Sequence, residues 1–170
     1  GFVRDSVLSI KNYRIAADMG HGDALCWLGE FYMHGQFLPK DSVEAFKHFS
    51  QAKDLGSPSG YYFVGVSYLR GVGVEKDTAK AVENLLPAAR MEEGGSCAII
   101  GDFYRQGLGG FEANIDSAIA YYYLGSKSDN PTCDYQMGLY FNSHEDYNNA
   151  YEYFYSSAKH RNPSFRMPTW

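Results

Sequence analysis

A repeat of about 36 residues runs along this chain and limits the folds that it can adopt. Residues 23–56 align with residues 59–94, and six positions coincide at a constant offset of 36. The pairs are Gly29 and Gly65, Tyr32 and Tyr68, Gly35 and Gly71, Asp41 and Asp77, Ala45 and Ala81, and Ala52 and Ala88. A third copy starts near Gly95, and a fourth carries Gly138, Asp146 and Ala150. A period of this length is typical of solenoids, in which each copy buries its apolar face against its neighbours.

Each copy predicts two helices joined by a glycine-containing turn. We expect first helices over 24–34, 60–70, 96–106 and 132–142, and the first three end in Gly35, Gly71 and Gly107, which suit a left-handed helix end. Second helices are expected to start at Asp41, Asp77, Asp116 and Asp146, whose carboxylates can cap free backbone amides. Asp41 and Glu44 also form a capping-box pattern.

The third and fourth copies depart from the first two in the loop between their helices. The third has a longer loop, residues 107–116, so that Ala120 comes three residues late as the counterpart of Ala81. The fourth lacks the turn glycine, has His144 in its place, and has a loop four residues shorter. We expect these changes to alter loop geometry and to leave the fold intact.

Glycine also recurs inside the predicted first helices, at Gly29, Gly65, Gly101 and Gly138. A glycine inside a helix costs about 1 kcal/mol relative to alanine. Four such costs at one register predict that a neighbouring helix backbone comes close at each of these positions. The expected small partners are alanines on the second helices: Ala45, Ala81, Ala120 and Ala150.

The repeat predicts one domain over residues 1–170. Its expected parts are the second helix of an incomplete repeat (1–22), repeats at 23–58 and 59–94, a repeat with a longer loop (95–131), a repeat with a shorter loop (132–162), and a tail or truncated next repeat (163–170). Because the pattern starts and stops within a repeat, we expect a fragment of a longer array. Ends without a polar cap make stacking into a homodimer an alternative.

Composition excludes some classes of partner. A net charge of −5 and a pI near 5.5 argue against nucleic acid as a partner. No apolar run is long enough to insert into a membrane. Cys26, Cys97 and Cys133 are an odd, widely spaced set, which favours a reducing cytoplasm. The ER lumen, the periplasm or secretion stays open if a signal lies outside these residues.

The chain shows no pattern that predicts catalysis, a cofactor site or a metal site. The glycines of GVGVEKDTAKA, residues 71–81, look like a phosphate-binding loop, but Lys76 stands where the third small residue of a dinucleotide fingerprint belongs. The five histidines are scattered and lack zinc-binding spacing. Paired acids such as Glu145 and Asp146 lie at a predicted helix start, where the helix dipole favours negative charge.

The joint pattern resembles the Sel1-like repeat (SLR) family, which is related to the tetratricopeptide repeats. The first copy carries Ala24, Leu28, Gly29, Tyr32, Gly35, Asp41 and Ala45, and the second carries Val64, Gly65, Tyr68, Gly71, Gly73, Val74, Asp77 and Ala81. The resemblance implies an all-α fold, a right-handed α/α superhelix (solenoid) of antiparallel helix-turn-helix repeats. It also implies a non-catalytic scaffold or adaptor that binds a partner protein or peptide.

Similarity to tetratricopeptide proteins further implies that the first helices line a concave binding face. The expected partner-binding residues are Cys26, Glu30, Met33, His34, Tyr62, Val66, Leu69, Arg70, Asp102, Arg105, Gln106, Tyr135, Leu139 and Asn142. Arg70 and Arg105 can pair with acids of a partner or, equally, with Glu30 and Asp102 in the same face. Alternative functions are self-association and a regulatory segment of a longer enzyme.

Overall fold

The computed structural model describes residues 2–161, and it describes side chains from Ser9 onward. Over this range the chain forms nine α-helices and no strands. The helices are α1 (Phe2–Asp18), α2 (Gly22–His34), α3 (Ser42–Asp54), α4 (Pro58–Arg70), α5 (Thr78–Arg90), α6 (Gly94–Gln106), α7 (Ile115–Lys127), α8 (Pro131–Ser143) and α9 (Tyr147–Arg161). The predicted tail at 163–170 lies outside the described residues.

The chain divides into two compact units, here called the N-terminal unit (residues 1–88) and the C-terminal unit (residues 89–170). In the N-terminal unit, α2 packs against α1 and α3, and α4 packs against both α2 and α3. In the C-terminal unit, α6 packs against α7, and α8 packs against α7, α9 and α6. Each unit is therefore built from neighbouring helical hairpins.

The predicted glycine ends of the first helices are confirmed. Gly35, Gly71 and Gly107 follow α2, α4 and α6 with φ values of 68°, 68° and 67°, the left-handed region in which glycine has no Cβ penalty. At the start of α3, Asp41 accepts hydrogen bonds from the amides of Val43 and Glu44. Only this half of the expected capping box forms. The Asp41 amide donates to the carbonyl oxygen of Tyr32 at 2.9 Å, and the Glu44 carboxylate pairs with Lys47 at 2.8 Å.

The expected start of α7, which is the second helix of the third copy, is wrong by two residues. Asn114 caps α7 by accepting a hydrogen bond from the Ser117 amide at 2.9 Å, whereas Asp116 lies inside the first turn. The buried small residue is accordingly Ala118, while Ala120 is exposed. Asparagine caps a helix as well as aspartate does, so α7 starts earlier than Asp116 indicates. The loop before α7 is therefore only one residue longer than the corresponding loop of the second copy.

Close approach at the helical glycines is confirmed, but the nearest atoms belong to large side chains and not to the predicted alanines. At Gly65 the carbonyl oxygen of the predicted partner Ala81 is also close, 3.2 Å from an added Cβ atom. A Cβ atom on Gly65 would lie 2.6 Å from Leu85 Cγ, and one on Gly101 would lie 2.5 Å from the Tyr122 ring. In the same way, Phe49 meets Gly29 and Phe154 meets Gly138. In every repeat the glycine therefore receives the large side chain that follows the buried alanine by four residues, one helical turn further on.

Candidate protein-interaction site

An open groove in the C-terminal unit collects apolar side chains at the surface. It encloses about 410 Å³, and we call it the α7–α8 groove. Its lining residues are Arg105, Ile115, Asp116, Ile119, Tyr122, Gln136, Leu139, Tyr140, Ser143 and His144. Two of the apolar members are well exposed, Ile115 at 57% and Leu139 at 41%. The groove therefore offers aliphatic surface that the described part of the chain leaves uncovered.

Helical spacing explains how this groove is lined. Ile115 and Ile119 are four residues apart on α7, so both lie on one face of that helix. Gln136, Leu139, Tyr140 and Ser143 follow the spacing of one face of α8. Two helix faces thus form opposite walls, with polar groups at the rim.

A hydrogen-bond network holds Arg105 at the rim of the groove. Arg105 Nη2 donates to Asp102 Oδ1 at 2.9 Å, and the Tyr122 hydroxyl donates to the same carboxylate oxygen at 2.8 Å. Arg105 Nε also donates to the Tyr122 hydroxyl at 3.2 Å. Burial raises the pKa of Tyr122, as does its bond to Asp102, so the phenol stays protonated and keeps donating. Arg105 was expected to pair either with an acid of a partner or with Asp102, and in the structure it pairs with Asp102.

Predicted site residues of the N-terminal unit fall into three groups. Cys26 and Val66 are buried, which corrects their assignment to a binding surface because they present almost no area to a partner. Met33 is half-buried and packs against Phe49 and its neighbours. The remaining residues are half-buried or exposed: Glu30, His34, Tyr62, Leu69 and Arg70. Whether these five bind a partner stays a prediction.

Predicted site residues of the C-terminal unit lie partly in the α7–α8 groove. Arg105 and Leu139 line it together, and Asp102 fixes Arg105. Gln106 and Asn142 are exposed and lie outside the lining. Tyr135 packs against Phe154, with ring centroids 5.7 Å apart, and also lies outside the lining.

Sequence reasoning missed most of the groove lining. Ile115 and Ile119 lie on a second helix, α7, whereas all the predicted binding residues lie on first helices. His144 stands in place of a turn glycine, and the sequence assigns it no binding role. The sequence signal for this groove is the shortened loop of the fourth copy, because the missing loop residues leave the helix surface beside them exposed.

A second cavity, of about 460 Å³, lies in the N-terminal unit beside α1, α2 and α3. Its lining mixes Leu25 and Leu28 with charged groups such as Arg14 and Asp54. His48 also lines it; burial lowers the pKa of this imidazole, which favours the neutral form near pH 7. This cavity is larger than the α7–α8 groove, but it contains none of the predicted binding residues. The groove is therefore the stronger candidate.

The cysteines are buried and free, and they are poor nucleophiles. Burial raises the pKa of Cys26 and of Cys97 to about 12, and it raises the pKa of Cys133 as well. Because the thiolate is the reactive form, these thiols are inert near neutral pH. Among the side chains that the structure describes, from Ser9 to Arg161, no group of three His, Cys, Asp or Glu residues is arranged to hold a metal ion.

Asp134 is the one carboxylate among the buried residues of the described chain, and hydrogen bonds account for its burial. It accepts hydrogen bonds from the hydroxyls of Ser126 and Ser156, and His160 Nδ1 lies 3.3 Å away. The network joins α7, α8 and α9. A buried carboxyl group whose oxygens are hydrogen-bonded to neighbouring helices is typical of a structural tie, and we assign it that role.

Comparison with known proteins settles the family. The model of the Sel1 repeat matches this chain five times, at residues 1–21, 22–57, 58–92, 95–130 and 132–162. The chain belongs to the Sel1 repeat family. This membership and the nine helices of the described range confirm the predicted all-α repeat fold.

Solved structures of other Sel1-like repeat proteins are similar in fold. A Sel1 repeat protein from Oxalobacter formigenes aligns with a TM-score of 0.75 and 23% identity, over 93% of this chain and 69% of that one. The protective antigen c5321 of uropathogenic Escherichia coli aligns with a TM-score of 0.73 and 24% identity, over 90% of this chain but 33% of its own. The immunity protein Pa5087 of Pseudomonas aeruginosa aligns with a TM-score of 0.68 and 22% identity, over 89% and 57%.

These similarities show the fold alone. The chain spans from about a third to about two thirds of the length of these three proteins. Comparison with curated proteins gave no match. Within the described residues, no helix of this Sel1 repeat protein combines the length and the apolar character that crossing a bilayer requires.

Proposed function

We propose that this Sel1 repeat chain is a non-catalytic scaffold that holds a segment of a partner protein in the α7–α8 groove. Proteins of this family generally serve as scaffolds for protein interactions. The observation that carries the proposal is the exposed aliphatic surface of Ile115 and Leu139 beside the fixed guanidinium of Arg105. Apolar anchors with a polar rim are the usual anatomy of a protein interface.

The aliphatic walls supply the driving force for this binding. Burying apolar surface contributes about 25 cal/mol per Å², so covering two exposed aliphatic side chains contributes a few kcal/mol before the cost of ordering the partner. Such apolar side chains form the core of an interface, while the polar groups around them form its rim. The groove volume of about 410 Å³ accommodates a short peptide segment and not a whole folded surface.

The rim groups add directionality. Arg105 uses Nε and Nη2 inside the protein, which leaves further N–H donors of its guanidinium for a partner carbonyl or carboxylate. The exposed carboxylate of Asp116 lies in the same lining and can accept a hydrogen bond from a partner. A partner segment therefore meets both a donor and an acceptor beside the aliphatic walls.

Site-specific photo-crosslinking in cells of the source organism tests this proposal. One variant carries a benzophenone side chain in place of Leu139, and its matched control carries it in place of Tyr151, which is 49% exposed on α9 and outside the groove. We expect discrete protein adducts from position 139 and none from position 151. Equal adducts at both positions, or adducts at 151 alone, would contradict the groove as the site.

A further inference from the structure

The connection between the last two helices is shorter than its counterpart in the N-terminal unit. Seven residues, 71–77, join α4 to α5, whereas three residues, 144–146, join α8 to α9. The difference is four residues. Both connections begin directly after a first helix and end at the aspartate that precedes the next helix, Asp77 or Asp146.

In the N-terminal unit, the longer loop packs against the first turns of α3. A Cβ atom on Gly73 would meet the carbonyl oxygen of Ser42 directly, and it would lie 3.1 Å from Phe46 Cβ. Gly73 also has a φ of 72°, the left-handed region that favours glycine. Only a residue without a side chain fits between the loop and α3 at this point. The flanking Val72 and Val74 are half-buried.

Repeat register identifies the same place in the C-terminal unit. Asp41 caps α3 and Asn114 caps α7, so Ser42 corresponds to Ile115 and Phe46 corresponds to Ile119. These two isoleucines line the α7–α8 groove. The ends of α4 and α8 correspond in the same way, and Ser143 and His144 line the groove as well. The α7–α8 groove therefore corresponds to the place beside α3 that residues 71–77 fill in the N-terminal unit.

We propose that the α7–α8 groove takes a short segment of a partner protein that bends at a glycine between two aliphatic residues, as Val72-Gly73-Val74 does. The proposal rests on the function proposed above and specifies its ligand. The loop of the N-terminal unit shows which chain chemistry fits against this face: a small residue at the point of closest approach, with aliphatic side chains on either side. Ile115 in place of Ser42 makes the wall more apolar, which favours an aliphatic ligand.

A synthetic peptide of this chain's own loop is the direct probe. The peptide RGVGVEK, residues 70–76, is labelled with a fluorophore and titrated with the full chain, and binding is followed by anisotropy. Its matched control carries Gly73→Leu. We expect saturable binding of the parent peptide and at least about tenfold weaker binding of the control, because the leucine side chain has no space at the helix.

A loop graft provides the internal control on the protein side. Inserting Gly-Val-Gly-Val between Ser143 and His144 restores the length of the missing loop, so the segment competes for the groove within the same chain. We expect this variant to keep its helical circular dichroism and thermal midpoint while losing binding of RGVGVEK by at least about tenfold. Retained binding in the graft would overturn the proposed location.

The outcomes separate this inference from the proposed function. Equal affinity for the parent and Gly73→Leu peptides, or binding by neither, overturns the glycine-centred ligand. If crosslinks from position 139 are found in that case, the groove still binds a partner and only the ligand chemistry is wrong. If those crosslinks are missing as well, the proposed function fails with it.

Discussion

Single side chains at fixed positions set the distance between the two helices of each hairpin. A glycine in the first helix leaves a notch, and one large side chain of the second helix fills it: Phe49, Leu85, Tyr122 or Phe154. The filler varies between phenylalanine, leucine and tyrosine, whereas the glycine does not vary. This asymmetry follows from close packing, because a side chain can change shape within a notch but the backbone cannot retreat from an added Cβ atom.

Substituting one notch glycine tests this packing. We expect Gly65→Ala to lower the free energy of unfolding by about 1–3 kcal/mol, because the new methyl group overlaps Leu85, although alanine alone favours a helix. In a Leu85→Ala background the same change costs less, since the overlap is removed. Urea unfolding of the four proteins gives both values. An equal cost of Gly65→Ala in the two backgrounds would show that the overlap with Leu85 is not the cause.

The buried thiols predict a loss of stability at alkaline pH. An unfolded chain releases thiol protons above about pH 8.5. The folded chain holds those of Cys26 and Cys97 to about pH 12. Between these values the folded state binds more protons than the unfolded state, so stability falls as pH rises.

Melting temperatures from pH 8 to pH 10.5 measure this effect. We expect the melting temperature to fall with pH, and to fall less steeply in Cys97→Ala, whose overall stability is lower because a core atom is lost. Parallel pH curves for the two proteins would show that Cys97 ionises alike in the folded and unfolded chains.

At the scale of helices and loops, most of the fold is predictable because each boundary has a local chemical signal. The first helices were expected at 60–70 and 96–106, and they are observed at Pro58–Arg70 and Gly94–Gln106. Glycine ends and aspartate caps act within one turn of the helix, which is why sequence alone places them. The start of α7 was missed because Asp116 resembles the aspartate of the other copies, while Asn114 performs the capping.

The site was far less predictable than the helices. The α7–α8 groove is open because the short loop at 144–146 leaves Ile115 and Ile119 uncovered. These two parts of the chain are about 25 to 30 residues apart, so no local signal links them. Burial of Cys26 and Val66 also depends on packing against other helices. Leu139, whose position was assigned by similarity to tetratricopeptide proteins, could be found from repeat register, but its neighbours in the groove could not. Partner contacts at the other transferred positions, and the cytoplasm as the compartment, stay predictions.

Paired substitutions test the corrected start of α7. We expect Asn114→Ala to lower the free energy of unfolding by about 1 kcal/mol, because the Ser117 amide loses its acceptor. Asp116→Ala changes it by less than about 0.5 kcal/mol, because this carboxylate is exposed in the first turn of α7, where its interaction with the helix dipole is weak. Chemical denaturation of both variants decides the matter. The reverse order of the two costs would restore Asp116 as the cap.

At the scale of the whole molecule, one repeated hairpin accounts for the fold, and a local change in one copy accounts for the candidate site. Four loop residues present in the second copy are missing from the fourth. Their absence leaves aliphatic surface exposed in the C-terminal unit without disturbing the hairpin of α8 and α9, whose Gly138 and Phe154 still interlock. Exposed apolar surface in such an array can therefore arise where a segment is missing while the helical framework is retained.

A charge placed in the groove separates binding from folding. We expect Leu139→Glu to reduce partner binding at least about tenfold, because a carboxylate in an aliphatic groove loses hydration without gaining a partner. The melting temperature should change by less than about 4 °C, since this side chain is 41% exposed. Tyr151→Glu, on α9, is the matched control and should retain binding. Equal loss in both variants would point to a general effect of charge.

The most direct test of the groove is a methyl NMR map of ligand binding. Heptapeptides selected on the intact chain from an unbiased display library are titrated into protein labelled at isoleucine and leucine methyl groups. Binding in the groove predicts that the largest shift changes occur at Ile115, Ile119 and Leu139, and that Leu25 and Leu28 of the N-terminal cavity stay unchanged. Largest changes at Leu25 and Leu28, with the groove methyl groups unmoved, would contradict it.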